Sequence, residues 1–318
     1  FWAPFAIRRK MATYNILKQA EVYIVEADST KTRLDVTSDI SFTQTFTDKT
    51  YPQKTLHEQH KMHEASNIKK ANPANFEFTI PALTQNDLDV VFNLLVDYKT
   101  GTNTLNTFDL YIKLPNDVYK LEKCVITNGT FLIEKLENLK LAISGEASTL
   151  TGGATLPTTD TDPAVTVVAP GTRTYQQVNY LQLKADNTNL TEGIYKVSVE
   201  LQNDIEWLKY ETVNDALAVT TADNSMYPSD FTLKKRILSG SIGQYVLSNF
   251  NSDVQSWKTG VDMVIKAGES ATQGFQFDLE KCTFTNRNSV SEVFTQSYDW
   301  KMNDNVANLG DKIKFNAI

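Results

Sequence analysis

Leu121–Asn128 reads LEKCVITN and Leu279–Asn286 reads LEKCTFTN, so six of eight positions agree and each copy holds one of the two cysteines of the chain. Working outward, other short matches occur in the same order in both halves. Ala27-Asp28-Ser29-Thr30 answers to Ala185-Asp186-Asn187-Thr188, and Asp39-Ile40 to Asp204-Ile205. Tyr98-Lys99-Thr100-Gly101 answers to Trp257-Lys258-Thr259-Gly260, and the five residues from Asp109 to Lys113 to those from Asp262 to Lys266. One such match means little; an ordered series is the signature of an internal repeat. The separation between copies changes where TNTLNTF (102–108) shortens and where LPNDVYK (114–120) becomes AGESATQGFQFD (267–278). Length changes of this kind belong to hairpin loops rather than to strand interiors.

With 318 residues the chain has room for two domains, and 41% apolar residues suffice for a core in each. No apolar run reaches the roughly eighteen residues of a membrane span, so no membrane partner is expected. A net charge of -7 argues against a protein that neutralises nucleic-acid phosphates. FWAPFAIRRK precedes Met11-Ala12, which reads as an ordinary start; its basic cluster follows its apolar run, the reverse of a secretion signal, so no export is expected. Cysteines related by a repeat are expected to lie too far apart to bond, and to serve as small buried side chains.

Alternating segments such as Phe76-Glu-Phe78-Thr-Ile80, Leu110-Tyr-Ile112-Lys-Leu114 and Tyr195-Lys-Val197-Ser-Val199-Glu-Leu201 predict half-buried antiparallel strands. One helix per repeat is expected before each Lys-Thr-Gly. Leu88, Val91, Leu95 and Tyr98 form its apolar stripe in the first half; Leu247, Phe250, Val254 and Trp257 hold the same offsets in the second. Thr84 would cap the first helix, and Gly101 and Gly260 would end the two. The fold class expected is mainly β, a β-sandwich or barrel with one flanking α-helix, tandemly duplicated. The domain reading is an N-terminal arm at 1–20, a first repeat at 21–150, a linker at 151–176, a second repeat at 177–305 and a C-terminal arm at 306–318. The linker is rich in Gly, Pro, Thr and Asp, as tethers are. Residues 43–75 form a long polar insertion, expected to contact an adjacent subunit or the next ring.

All three histidines, His57, His60 and His63, fall in LHEQHKMHE, a spacing that could place imidazoles on one side of a helix to hold a metal. No distant ligand accompanies them, and a solvated loop is the simpler reading. Neither cysteine has a histidine matched in both repeats. No phosphate-binding glycine loop, nucleophile elbow or zinc pattern is present, so no catalytic, cofactor-binding or metal residue is assigned and no cofactor is expected. Asn128-Gly-Thr is only nominally a glycosylation site without export.

A mainly β domain with one helix, a long polar insertion and a tandem copy resembles the tail tube proteins of long-tailed bacteriophages, in particular those with two fused tube domains per chain. The residues that carry the resemblance are MATYNILKQAEVYIVEAD (11–28), the helix ending in Tyr98-Lys-Thr-Gly101, the strands DLYIK (109–113) and LEKCVITN, and their second-half partners. The resemblance implies a structural virion protein, not an enzyme, localised in the tail and assembled in the host cytoplasm. It implies rings of six domains, supplied by three chains, stacked into a hollow tube through which DNA passes without specific binding. Implied partners are the chain itself and other tail proteins such as the tape measure and tail terminator. An acidic balance fits such a lumen, because like charge keeps DNA from sticking. The alternative is a virion-surface β adhesin or carbohydrate-binding protein, whose contact aromatics would be Trp207, Tyr210 and Tyr227.

Overall fold

β-branched and aromatic residues alternating with polar ones fold as strands with one face buried, and this pattern dominates the chain. The structure, a computed structural model, describes residues 20–27, 31–34, 40–54, 62–81, 85–96, 105–154, 177–186, 188–190, 192–208, 227–246, 260–290, 293–303 and 313–315. The first half holds β1 (Glu21–Glu26), β2 (Lys31–Arg33), β3 (Ile40–Thr43), β4 (Phe46–Lys54), β5 (Met62–Ala71), β6 (Ala74–Ile80), α1 (Gln85–Val96), β7 (Phe108–Lys113), β8 (Val118–Glu134), β9 (Lys140–Ala147) and β10 (Thr149–Thr151). The second holds β11 (Tyr180–Ala185), β12 (Thr188–Asn189), β13 (Ile194–Leu208), β14 (Asp230–Tyr245), β15 (Val261–Ser270), β16 (Gln273–Val290), β17 (Phe294–Met302) and β18 (Ile313–Phe315).

The pairing pattern is written twice, always antiparallel. In the first half β2-β1-β7 leads to the start of β8, and β3-β6-β9 leads to its end. In the second, β12-β11-β15 leads to the start of β16, and β13-β14-β17 to its end. One row across the sheet fixes the correspondence. Ile126, Gly145, Phe76 and Phe42 lie side by side in the first half; Phe284, Trp300, Gly240 and Val199 do so in the second. That row corrects the sequence match of Asp39-Ile40 with Asp204-Ile205: the counterpart of Ile40 is Val197, and Asp204 lies farther along β13, opposite Lys235. A shared Asp-Ile pair is short enough to arise by chance, whereas hydrogen-bonded registers cannot slip without turning every side chain over.

Within the row each repeat sets one ring over one glycine, from opposite strands. A Cβ on Gly145 would lie 2.3 Å from Phe76 Cζ, and one on Gly240 2.0 Å from Ser198 O and 2.7 Å from Trp300 Cζ2. Only hydrogen fits beneath either ring.

Among the described residues the sheets stay open: the strands of both halves join into one 16-stranded array with free ends, not a closed barrel. β8 and β13 join the halves, from Lys196 opposite Glu134 to Gln202 opposite Asn128. Within 43–75, read as a polar insertion, residues 46–54 and 62–71 pair as the β4–β5 ribbon, from Phe46–Ala71 to Lys54–Met62. Backbone pairing in a two-stranded sheet does not require an apolar face, so composition alone reads as loop. Its counterpart is the outer part of β13 and β14, from Asn203–Arg236 to Leu208–Asp230.

α1 is buried more widely than the expected stripe. Val91 and Leu95 are inside, and so are Val90, Phe92, Leu94 and Val96. Asn93 is buried with them, so the helix is covered on every side from Val90 to Val96. Phe92 stacks on Phe131 of β8 at 5.1 Å, and lies 6.2 and 6.3 Å from Phe275 and Phe277 of β16. The helix is therefore clamped between the halves, within one apolar cluster that draws from both. Leu88, Tyr98, the cap at Thr84, Gly101 and the second-half helix (247–257) lie outside the described residues or side chains; Gly260 is described, with φ of 77°.

Candidate functional site

The repeated LEKC phrase is a corner. Between Phe108–Cys124 and Leu110–Leu121 the β7–β8 ladder carries one extra residue on β8, and the β15–β16 ladder does the same between Val261–Cys282 and Met263–Leu279. At each bulge a lysine turns left-handed, Lys123 at φ 53° and Lys281 at φ 52°. Its N–H donates to an aspartate Oδ1 on the neighbouring strand, Asp109 or Asp262, at 3.0 Å in both repeats. Leu121 and Leu279 point inward, as do Cys124 and Cys282 just after the bulge. Beyond it each long strand changes partner, β8 from β7 to β9 and β16 from β15 to β17. The phrase needs a leucine, a residue at positive φ and a small buried side chain in that order, with an Asp across the ladder. That is a physical reason for its repetition.

Both cysteines are free and buried. Burial pushes the Cys124 thiol well above its usual range and Cys282 up to about 12, so neither supplies a thiolate near neutral pH. The first corner adds a charge cluster. Lys120 Nζ reaches Asp109 Oδ2 at 3.1 Å and Glu122 Oε1 at 2.7 Å, and lies 5.4 Å from the Tyr111 ring centre. Burial works against the charged Lys120, but its hydrogen bonds to Glu122 and Asp109 outweigh that and raise its pKa. The Lys120 hydrogen bond holds the Glu122 carboxyl below its usual value.

At the junction of the halves, buried Asn203 donates to Ile126 O at 2.9 Å and to Leu95 O at 3.4 Å. Asn128 donates to Glu200 at 3.1 Å, which places the nominal glycosylation asparagine inside a strand junction. Lys196 pairs with Glu134 at 3.7 Å, Lys123 Nζ donates to Ser229 O at 2.5 Å, and Ser148 Oγ to Pro228 O at 2.6 Å. Trp207, expected to be an exposed binding aromatic, is buried: its Nε1 donates to Glu146 at 2.7 Å and its ring meets Phe231 at 5.5 Å. A tryptophan near a strand end buries when a carboxylate from the other repeat stands within reach, and sequence spacing does not show that. Tyr227 is half-buried; Tyr210 lies outside the described residues.

Eight strands, β3-β6-β9-β8-β13-β14-β17-β16, present one continuous polar face. Paired neighbours place Ser41 and Thr43, Glu77 and Thr79, Ser144 and Thr130, then Ser198 and Glu200, Ser239 and Ser241, Asp299, Thr283 and Thr285 on it. Its charges largely answer one another, as with Lys196 and Glu134, or Arg287 and Asp299 at 3.0 Å. The basic Lys234 and Lys235, on the β13–β14 ribbon, meet Glu206 at 2.9 Å and Asp204 at 3.5 Å. The face offers hydroxyls and paired ions.

The histidine cluster falls at the end of the β4–β5 ribbon. His63 stands opposite Gln53 on the ladder, while His57 and His60 lie outside the described residues. Among the described residues no three His, Cys, Asp or Glu side chains converge on a metal position. The Asp109 and Asp262 caps had a signal in the sequence, an Asp at the head of the same five-residue element in each half, but its role needed the ladder. Asn203 and Trp207 had no comparable signal.

No curated protein matches the chain. The model of a family described as the Bacteriophage Baseplate Tube Protein Family matches residues 12–316, nearly the whole chain.

Proposed function

The chain belongs to the bacteriophage baseplate tube protein family, and from that membership we propose that it is a tube-forming virion protein. Three copies, each supplying two repeats, make a ring of six tube domains, and rings stack into a hollow cylinder that conducts DNA during ejection. The observation that carries this is the order of the eight-strand face. The module β3-β6-β9-β8 is followed, at the same kind of edge, by its own copy β13-β14-β17-β16. A unit that joins its copy head to tail generates a ring when the rotation closes.

In this reading the eight-strand polar face lines the bore. Weak contact with DNA then comes from hydroxyls and from cations already answered by carboxylates, rather than from dense negative charge. The reading extends to the tail tube proper as well as to its baseplate end, with tape measure and terminator proteins as neighbours and assembly in the host cytoplasm. Membership in a structural family and the high thiol pKa values favour a role without catalysis. The burial of Trp207 counts against the adhesin alternative.

Negative-stain microscopy of the purified protein tests the proposal. Rings or tubes are expected, with six lobes around the axis; monodisperse monomers at every soluble concentration would sink it.

A further inference from the structure

We infer that neighbouring chains join through one strand pairing, the β16 edge at Arg287–Val290 against β3 (Ile40–Thr43) of a second copy, in the register already used inside the chain. The identity of the occupant as a second copy rests on the ring reading above; the edges and the register come from the fold.

Beyond Cys282, β16 has a strand on its β17 side alone, and β3 has one on its β6 side alone, among the described residues. Their counterparts in the other repeat are both fully used. β8 carries β9 on one edge and β13 on the other, and β13 carries β14 and β8. The chain thus holds one completed junction and the two unmatched halves of a second one. An open strand edge exposes unpaired N–H and C=O groups, a template for another strand.

The register follows residue by residue. Across the β8–β13 junction Thr130 faces Glu200 and Leu132 faces Ser198. Glu200 and Ser198 correspond to Thr43 and Ser41, since Val199 and Phe42 occupy the same place in the reference row. Past Ile126 the β8 strand has a bulge against β9 that β16 lacks against β17, so the β16 counterparts are those that share the β9-like partner. Thr130 faces Ala142 as Arg287 faces Ser297; Leu132 faces Lys140 as Ser289 faces Thr295. Between chains, Ser41 therefore faces Ser289 and Thr43 faces Arg287.

Exposed apolar side chains flank both open edges. Val293 (52% exposed) and Phe294 (41%) sit at the turn that ends β16, and Phe46 (46%) just beyond β3. The corresponding turn after β8 is held by the other repeat: Leu136 N–H donates to Val178 O and Val178 N–H to Glu137 O. A second copy seated on β16 would cover Val293 and Phe294 in the same way.

The full chain carrying S41C and S289C together is treated with a short thiol-reactive cross-linker at the highest soluble concentration. Buried Cys124 and Cys282 make the wild type a blank. L132C with S198C is the positive control, linking within one chain. Expected is a ladder of two- and three-chain products whose linked peptides contain positions 41 and 289. S41C with T285C should give none, because the register sets those positions about four residues, roughly 13 Å, apart. A missing S41C/S289C ladder while the control links, or an equal ladder from S41C/T285C, overturns the junction. Tubes seen by microscopy without the 41–289 link would discard the junction and keep the ring reading. Linked soluble oligomers that never form rings would keep the junction and discard the ring reading.

Discussion

At the scale of single residues, the corner at Lys123 and Lys281 balances strain against capture. A non-glycine residue at positive φ costs on the order of 1–2 kcal/mol, and the Asp109 or Asp262 carboxylate offsets it by accepting the lysine N–H. Asp262→Ala should lower stability by about 1.5–3 kcal/mol, the range for a hydrogen bond to a charged group. Lys281→Gly should raise it by about 0.5–1 kcal/mol, once the larger unfolded-state entropy of glycine is set against the relieved φ. Urea denaturation of the two variants beside the wild type measures both signs. The first corner adds a pH dependence. Glu122 has its folded pKa lowered, chiefly by the Lys120 hydrogen bond, so its contribution is complete above the usual carboxylate value and is lost as pH falls through the lower folded value. Lys120 has its folded pKa raised, so its contribution is complete below the usual lysine value and fades only in strongly alkaline solution. The urea midpoint should fall as pH drops below about 4.5, and Glu122→Gln should make that acid limb shallower. An acid limb unchanged in Glu122→Gln would rule the pair out as a contributor.

At the scale of elements, α1 ties the halves together through Phe92, beside the Asn203 hydrogen bond to Leu95 O. Phe92 touches Phe131 in its own half and Phe275 and Phe277 in the other, and is fully buried. Phe92→Ala should cost about 3–5 kcal/mol, the range for a large-to-small change that leaves a cavity. One cooperative transition shifted to lower urea is the outcome expected of the joint cluster. Loss of less than about 1 kcal/mol would mean that α1 is not the clamp described. The β4–β5 ribbon follows a different rule: it is a two-stranded sheet of its own, paired along its length, and backbone pairing of this kind is compatible with a polar sequence.

At the scale of the whole molecule, charge placement matters more than the net value of -7. If the eight-strand face lines a bore, exposed Glu77 points into it from every chain. Its hydrogen-bonding neighbour is Ser41, at 3.0 Å. Glu77→Lys turns that position into a cation in all three copies of a ring, and with screening over about 8 Å at physiological salt its pull on phosphates is local but real. Tube assembly should be unchanged by microscopy, while DNA ejection from particles carrying the variant should slow. An ejection rate equal to wild type would mean that this face does not line the path.

By itself the sequence determined the duplication, the strand-rich class, the free cysteines and the first helix. Each rests on local periodicity or on short phrases whose order survives loop changes. The corner shows how far that reaches: LEKC marks a repeated shape, and the Asp that captures its lysine is written 14 residues earlier in one half and 19 in the other, with nothing local to link them. Tertiary structure alone decided that Ile40 answers to Val197, that Trp207 is buried against Glu146, that 46–54 and 62–71 pair as a ribbon, and that β13 closes the edge of β8. Those outcomes depend on which strand meets which. Backbone hydrogen bonds pair any sequence with any other, so register is chosen by the packing of side chains far apart in the chain.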